Sequence, residues 1–330
     1  MIFNEQLNKV YISFLIMSNV SKKTISALSE TSGIKRDRFG RHLASEPEKI
    51  KNLMVQPIKQ ITKNEPIILV LDDTSIRKEY STFIEVTSDI LDTLHNNYAR
   101  CLVPVSAGII YKKQFYPLSI RMWVSKEYKK EGYKTKIELA AELLVHFNIS
   151  KVIADGAYSS ASFLDYLDEK KLHYDMRCKS NSVVYFPGTN EKRNIKDVLG
   201  KKVAGKKKKQ ATMSLIWQGK LRYFTVLKHI QKDGEEKLTY QISNYHASAH
   251  EHTSTYAVRW QIEIFFRTAK QSLGLSDCQS TSLLRQINHI LHVFQAYCLL
   301  QIEKRSTKLK NCESVIKRLK RKNFRKVRLC

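Results

Sequence analysis

A nearly continuous apolar run, IILVLDDT at 67–74, ends in two aspartates. Such a run predicts a strand that is buried on both faces, with its polar end at a sheet edge. Two further strand-like runs, 102–111 and 114–123, are separated by two lysines and predict a hairpin. The pattern then predicts in order a helix, a strand, a helix and a strand, at 135–147, 150–158, 161–170 and 174–179.

This order of elements predicts a mixed α/β sheet that begins with a hairpin and continues through crossover helices. In a strand order of 3-2-1-4-5, the first and fourth strands are neighbours. The region 180–246 contains strand-like runs separated by turns, which predict a β-rich insertion, whereas 1–60 and 248–304 have helical spacing. The basic tail that follows is compatible with either a helix or a disordered arm.

Residues 25–43 resemble a helix-turn-helix with its turn at Gly33. Arg36, Arg38 and Arg41 would then lie on or near the second helix, where they can meet DNA. A purely structural helical hairpin is the alternative.

The chain has a large excess of positive charge, which indicates the class of its binding partner. The 330 residues contain 57 Lys and Arg against 31 Asp and Glu, a formal charge of +26. This excess indicates a polyanionic partner, with nucleic acid first and an anionic membrane surface second. No apolar run reaches the ~18–20 residues of a membrane span, and the N-terminal segment lacks the features of a signal peptide. Six scattered cysteines without a CxxC motif predict reduced cytosolic thiols.

The segment YAVRWQIEIFFRTAK at 256–270 is predicted as one amphipathic helix. A rotation of ~100° per residue gathers its polar residues in one narrow stripe and its apolar residues on another face. A solvated ion-pair face is the alternative interpretation of the polar stripe. Trp260 is expected in the core, with stacking on a displaced base as the alternative. The polar stripe consists of Tyr256, Arg259, Glu263 and Lys270, and the apolar face of Val258, Ile262, Phe265 and Ala269.

Acidic residues follow two of the predicted strands. Asp72 and Asp73 end the first strand and Asp155 ends the fourth, so neighbouring strands would bring their carboxylates together. Glu263, from a late helix, could join them. Three acids at one point repel each other unless a cation is present, and oxygen ligands suit Mg²⁺ or Mn²⁺. Two such ions can activate water and stabilise the leaving oxygen of a phosphodiester.

The spacing Tyr256-x2-Arg259-x3-Glu263-x6-Lys270 resembles the Y-(2)-R-(3)-E-(6)-K signature of bacterial insertion-sequence transposases with a DDE active site. The resemblance implies a ribonuclease H-like mixed sheet flanked by helices, with a β-rich insertion and helical N- and C-terminal regions. The implied divisions are a DNA-binding region, a first core part, an insertion, the last core helices and a basic tail, at 1–60, 61–179, 180–246, 247–304 and 305–330.

The resemblance also implies residue roles. Asp73, which precedes Thr74, is the first catalytic acid, with Asp72 as its alternate, and Asp155 and Glu263 complete a set that binds Mg²⁺ or Mn²⁺, two ions in all. A strand alternates its faces, so only one of the two adjacent aspartates can face the metal. The residues implied to hold DNA phosphate are Tyr256, Arg259 and Lys270.

The predicted function is therefore DNA transposition: binding of terminal inverted repeats, cleavage at the element ends and transfer of the 3′-OH ends to target DNA. The implied partner is double-stranded DNA, held by a homodimer in the bacterial cytoplasm at the nucleoid, with no membrane. A catalytically silent DNA-binding repressor and a metal-dependent nuclease without strand transfer are the alternatives. His250 and His252 are expected in a cap or a solvated loop. Lys78 is expected on the surface, with a phosphate contact as the alternative.

Overall fold

The computed structural model describes residues 4–63, 65–78, 83–84, 86–92, 96–129, 131–144, 147–205, 207 and 209–321. Its α-helices are α1 (Glu5–Met17), α2 (Ile25–Ser32), α3 (Arg36–His42), α4 (Pro47–Thr62), α5 (Lys136–Ala141), α6 (Ala161–Glu169), α7 (Lys201–Val203), α8 (Ala249–Ala257), α9 (Trp260–Ser272), α10 (Leu283–Thr307) and α11 (Cys312–Arg321). Its strands are β1 (Ile67–Asp73), β2 (Ile76–Arg77), β3 (Ser88–Asp92), β4 (Asn97–Tyr111), β5 (Gln114–Trp123), β6 (Ile149–Ala154), β7 (His173–Cys178), β8 (Val183–Tyr185), β9 (Lys192–Asn194), β10 (Gln210–Trp217), β11 (Lys220–Ile230) and β12 (Glu236–Ser243).

The chain divides into two compact units. The first falls within Met1–Glu65, Asp73–Val145 and Gln261–Cys330, and the second within Pro66–Asp72 and His146–Trp260. Each unit is therefore assembled from separate stretches of the chain.

In the first unit, β4 is the central strand and pairs antiparallel with β2, β3 and β5. The predicted hairpin is β4–β5, and its two turn residues, Lys112 and Lys113, have positive φ angles of 47° and 62°. Two consecutive positive φ angles match the twist of the flanking strands. A bulge lies at Ala107 and Gly108, where a Cβ on Gly108 would approach the Phe115 ring to 2.2 Å. Glycine is required at this point because the neighbouring strand passes too close for a side chain.

Aromatic packing forms the helical core of the first unit. The ring of Phe265 on α9 lies 5.4 Å from Phe115, 5.0 Å from Phe294 and 4.8 Å from Tyr297, measured between centroids. All four side chains are almost completely buried. Burial of aromatic area on this scale is the main source of stability for a helical layer on a sheet.

The two helices predicted over 25–43 are present as α2 and α3. Gly33 ends α2 in the left-handed conformation, and its N–H donates to the carbonyl of Ser29. Phe39 and His42 turn the inner face of α3 into the core, whereas Arg36, Arg38 and Arg41 are exposed. The pattern of apolar positions therefore predicted both helices and the turn between them.

The sheet of the second unit has the order β1-β6-β7-β12-β11-β10-β8-β9. Strands β1, β6 and β7 run parallel, and the remaining neighbours pair antiparallel. The predicted adjacency of the first and fourth predicted strands is confirmed, because β1 pairs with β6. The β-rich insertion continues this sheet through β12, which pairs with β7. It also contains a π-helical turn at Lys196–Gly200, which the sequence pattern did not indicate.

The prediction of one helix over 256–270 is wrong. Helix α8 ends at Ala257 and α9 begins at Trp260, with a turn between them in which the Arg259 N–H donates to the carbonyl of Tyr256. The hydroxyls of Thr253 and Ser254 bond to carbonyls one turn back in α8. Such bonds compete with the helical ladder and favour a bend. Tyr256, Arg259 and Glu263 therefore do not share one helical stripe.

Two other helical predictions need adjustment. The helix predicted over 135–147 is observed as Lys136–Ala141, and residues 145 and 146 lie outside the described residues. The described part of the basic tail is mostly helical, since α10 extends to Thr307 and α11 covers Cys312–Arg321. Residues 322–330 lie outside the described residues. No helix among the described residues is both long and apolar enough to cross a membrane.

Candidate active site

Two carboxylates lie at the carboxyl ends of neighbouring parallel strands in the second unit, one within the end of β1 and one directly after β6. The register pairs Leu71 of β1 with Ala154 of β6, and the next residues along the chain are Asp72 and Asp155. Aligned residues of parallel strands point to the same face of a sheet. The three residues directly before each acid, 69–71 and 152–154, are fully buried, which fixes the strand ends that carry the two carboxylates.

Arg259 anchors this cluster from the turn that follows α8. Its Nη1 donates to Asp72 Oδ2 at 2.9 Å, and both side chains are largely buried, at 13% and 17% exposure. Its guanidinium also lies over the ring of Tyr256, 5.8 Å from the centroid. One signature residue thus contacts Asp72 directly, and a second, Tyr256, packs against that arginine.

Tyr256 is also within electrostatic range of Asp155. Burial raises the pKa of the Tyr256 hydroxyl to about 12, with the charge of Arg259 lowering this pKa, that of Asp155 raising it and that of Arg177 lowering it. The tyrosine is therefore a neutral hydrogen-bond donor near neutral pH. Asp155 itself caps a short 3₁₀ turn, and its Oδ1 accepts the Gly156 N–H at 2.7 Å.

Asp73 has different surroundings from those of Asp72. In the first unit, Lys136 Nζ donates to Asp73 Oδ2 at 2.6 Å. The lysine side chain is 33% exposed, and it also lies over the ring of Trp123, 5.1 Å from the centroid. Because side chains alternate along a strand, Asp72 and Asp73 leave β1 on opposite faces.

The remaining signature residues lie in the first unit, on α9. Glu263 is in the first turn of this helix and is half-buried, and Lys270 is exposed in its last turn. An acid in the first turn and a base in the last both interact favourably with the helix dipole. The predicted apolar face is confirmed for Ile262, Phe265 and Ala269, each fully buried.

Similarity to known transposases assigns the chain to a family. The transposase DDE domain matches residues 63–299. A protein of Microchaete diplosiphon described as "Probable transposase for insertion sequence element IS701" is 25% identical over 289 residues, which cover 82% of this chain and 76% of the relative.

The chain belongs to the transposase DDE domain family.

Among solved structures, the piggyBac transposase in a synaptic complex with hairpin DNA is similar over 97% of this chain and 71% of its own, with a TM-score of 0.54 and 13% identity. The mixed sheet flanked by helices and the insertion agree with the ribonuclease H-like fold of that transposase, so the predicted fold class is confirmed.

The chemistry of the donor set in the transposase fits a divalent cation, which DDE transposases generally use. Asp72 and Asp155 offer hard oxygen ligands at the carboxyl ends of adjacent strands, as Mg²⁺ prefers. Within the described residues, no three His, Cys, Asp or Glu side chains are clustered as metal ligands. The full set of three acids therefore stays a prediction.

A buried network behind α8 was missed by the sequence reasoning. Asp175 on β7 is fully buried, and its Oδ1 lies 2.7 Å from His252 Nδ1 while its Oδ2 accepts the Tyr245 hydroxyl at 2.5 Å. Lys151 Nζ donates to the same hydroxyl at 2.5 Å. The network ties the first turns of α8 to the sheet, and the other end of that helix carries Tyr256.

Two expectations about single residues are wrong, and a third holds in part. His250 and His252 lie in the first turns of α8 next to its cap, as expected, but His252 is fully buried, because Asp175 on a distant strand pairs with it. Lys78 is also buried rather than on the surface, because its ammonium group donates hydrogen bonds to the carbonyls of Ser276 and Cys278. Trp260 is 53% exposed rather than in the core, because α9 begins at this residue after the turn.

Proposed function

We propose that this transposase binds the terminal inverted repeats of its own insertion sequence, cleaves the phosphodiester at each end and joins the 3′-OH ends to target DNA. The observation that carries the proposal is the cluster of Asp72, Arg259, Tyr256 and Asp155 where β1 and β6 end. It combines carboxylates for a cation with cationic and hydroxyl donors for a phosphate.

In this proposal the acids are Asp155, Glu263 and one of the two aspartates that end β1. The sequence favoured Asp73. The Arg259 contact and the register with Asp155 support Asp72 instead, because they join it to two other residues of the proposed site. Asp73 then has a separate role, as the partner of Lys136.

Divalent ions bound to these carboxylates, Mg²⁺ or Mn²⁺ and two in number, would activate water and then the 3′ oxygen and would stabilise the leaving oxygen. Arg259 offsets the charge of Asp72 and offers its guanidinium fork to a phosphate oxygen. Tyr256, which stays protonated, donates a hydrogen bond without acting as a nucleophile. Lys270 supplies a point charge to the DNA backbone.

The proposed partner is double-stranded DNA, at both the element ends and the target. The charge of +26 supports it, as does the hairpin DNA bound to the piggyBac transposase. Arg36, Arg38 and Arg41 on α3 are proposed to contact the ends. We further propose that two copies of the chain act together on paired ends, in the bacterial cytoplasm at the nucleoid.

Cleavage of a supercoiled plasmid carrying the element ends, in the presence of Mg²⁺, tests these assignments. Asp72→Asn, Asp155→Asn and Glu263→Gln should each reduce cleavage by at least roughly 100-fold, since each removes one charge from the cation site. Gel-shift affinity for an end duplex should stay within a few-fold. Asp73→Asn is the matched control and should retain most of the cleavage activity.

The reverse result, with Asp73→Asn inactive and Asp72→Asn active, would restore the sequence-based choice of first acid. Normal cleavage by all four variants would overturn the proposed mechanism. Strand transfer is measured separately with a pre-cut end and a target plasmid. Cleavage without joining would identify a nuclease, and binding without either reaction would identify a repressor.

A further inference from the structure

A polar cleft of about 530 Å³ lies in the first unit, between α3 and the segment that leads into α10. Arg36 and Arg41 project into it from α3, and Arg285 from the first turn of α10. Gln279 and Ser280, on the approach to α10, add uncharged polar groups. Three guanidinium groups from two distant parts of the sequence therefore line one concave surface.

The positive charge of this cleft exceeds the negative charge of the residues that line it. Among the described residues that line it, Asp37 is the one acid, against three arginines. In the part of the chain that the structure describes, no hydrogen-bond acceptor or acid pairs with the side chains of these three arginines. Unpaired guanidinium groups on a concave surface favour an anionic ligand with several oxygen atoms.

The two walls of the cleft are fixed to each other by buried hydrogen bonds. His42, the last residue of α3, lies 3.0 Å from His292 of α10, measured between the Nε2 atoms. The side-chain amide of Asn288 donates to the carbonyls of Leu43 at 2.8 Å and Ser45 at 2.7 Å. All of these groups are buried, so the spacing of the arginines is preorganised rather than set by the ligand.

We propose that this cleft binds one backbone phosphate of the element-end DNA and so fixes how α3 lies on the duplex. The inference rests on the proposed function, and it adds Arg285, Gln279 and Ser280 to the DNA-binding surface. Guanidinium forks bind phosphate oxygens bidentately and carry no preference for base sequence. The amino-terminal end of α10, which has no acidic residue in its first turn, adds positive potential to the same cleft.

The test is a salt titration of binding to an end duplex, with the full-length chain. Arg285→Gln should weaken binding roughly 10- to 100-fold and reduce the slope of log K against log salt by about 1, because one phosphate contact is lost. Lys9→Gln is the control, since Lys9 is exposed on α1 outside the cleft and its loss changes the net charge equally. Its slope should match that of the wild type.

Two further measurements sharpen the result. The loss in affinity for Arg285→Gln should be the same on a duplex of shuffled sequence, and ethylation interference should lose a single phosphate position. Arg285→Lys should keep the slope while losing part of the affinity. Thermal melting should confirm that each variant folds like the wild type.

If the wild type shows a steep slope of log K against log salt and Arg285→Gln shows the same slope, the proposed phosphate site is wrong. The proposed function is then unaffected. A loss confined to the natural end sequence would also overturn the proposed phosphate site, since that result indicates base recognition. A wild-type chain without salt-dependent DNA binding would overturn both the cleft and the proposed function.

Discussion

At the scale of single residues, Asp72 and Asp73 have the same chemistry and different partners. Asp72 is paired with a buried arginine of the signature, and Asp73 with a half-exposed lysine. A carboxylate paired with a buried arginine contributes more to local geometry than one in a surface ion pair. The different partners of the two acids thus follow from the strand face on which each lies.

Asp175 gives a prediction at this scale. Asp175→Ala should lower the free energy of unfolding by about 3–5 kcal/mol, because it leaves the buried His252 and Tyr245 without their shared acceptor. Chemical denaturation measures the change. Glu191→Ala is the control, since Glu191 and its partner Arg193 are both exposed, and it should change stability by less than about 1 kcal/mol. Equal effects for the two variants would contradict the structural role of the network.

At the scale of elements, two irregular points shape the fold. One is the bulge in β4, where two strands approach closely, and the other is the turn that separates α8 from α9. Gly108 sits at the bulge of β4, directly against Phe115 of β5. The turn between α8 and α9 places Arg259 outside both helices. Both features depend on a local departure from regular geometry.

Gly108→Ala should destabilise the protein by about 1–3 kcal/mol, because the added methyl group would overlap the Phe115 ring and approach the Tyr116 carbonyl oxygen to 2.8 Å. The melting temperature and denaturation midpoint measure it. Gly40→Ala is a matched control: Gly40 lies within α3 and has no atom within 4 Å of an added Cβ. That change should be neutral or stabilise by up to about 1 kcal/mol. Destabilisation by both would contradict the packing argument.

The sequence predicted the elements that depend on local pattern. The apolar run before Asp72 predicted β1, and the turn residues predicted β10 to β12. Long-range pairing was not predictable, because the partner of His252 lies 77 residues away and that of Lys78 lies 200 residues away. The break after Ala257 was missed because a helical wheel takes no account of side chains that bond to the backbone.

At the scale of the whole molecule, buried histidines make global stability depend on pH. Burial lowers the pKa of His42 to about 4, of His289 to about 4 and of His292 to about 3. Their pKa in an unfolded chain is about 6.5. Between pH 6.5 and 4 the unfolded chain binds protons that the folded chain does not, so acid favours unfolding.

The free energy of unfolding should therefore fall as pH drops below 6.5, by about 1.4 kcal/mol per pH unit for each histidine. Denaturation at pH 7, 6 and 5 measures the slope. His42→Gln should flatten it by one histidine's share, whereas His250→Gln, at an exposed position, should leave it unchanged. Titration of the His42 and His292 ring protons near pH 6.5 would contradict the prediction.

The division of the chain also bears on which damaged copies of the gene could make a partial product. The chain passes between the two units after residues 65, 72, 145 and 260. The second unit is complete only once residue 260 has been translated, and the first unit continues beyond that residue. A stop codon anywhere from 146 to 260 leaves neither unit whole. A stop codon between the codons of Trp260 and Glu263 leaves the second unit complete, with Asp72, Asp155 and Arg259. The product then lacks Glu263. Such a product keeps two of the proposed acids and lacks the third.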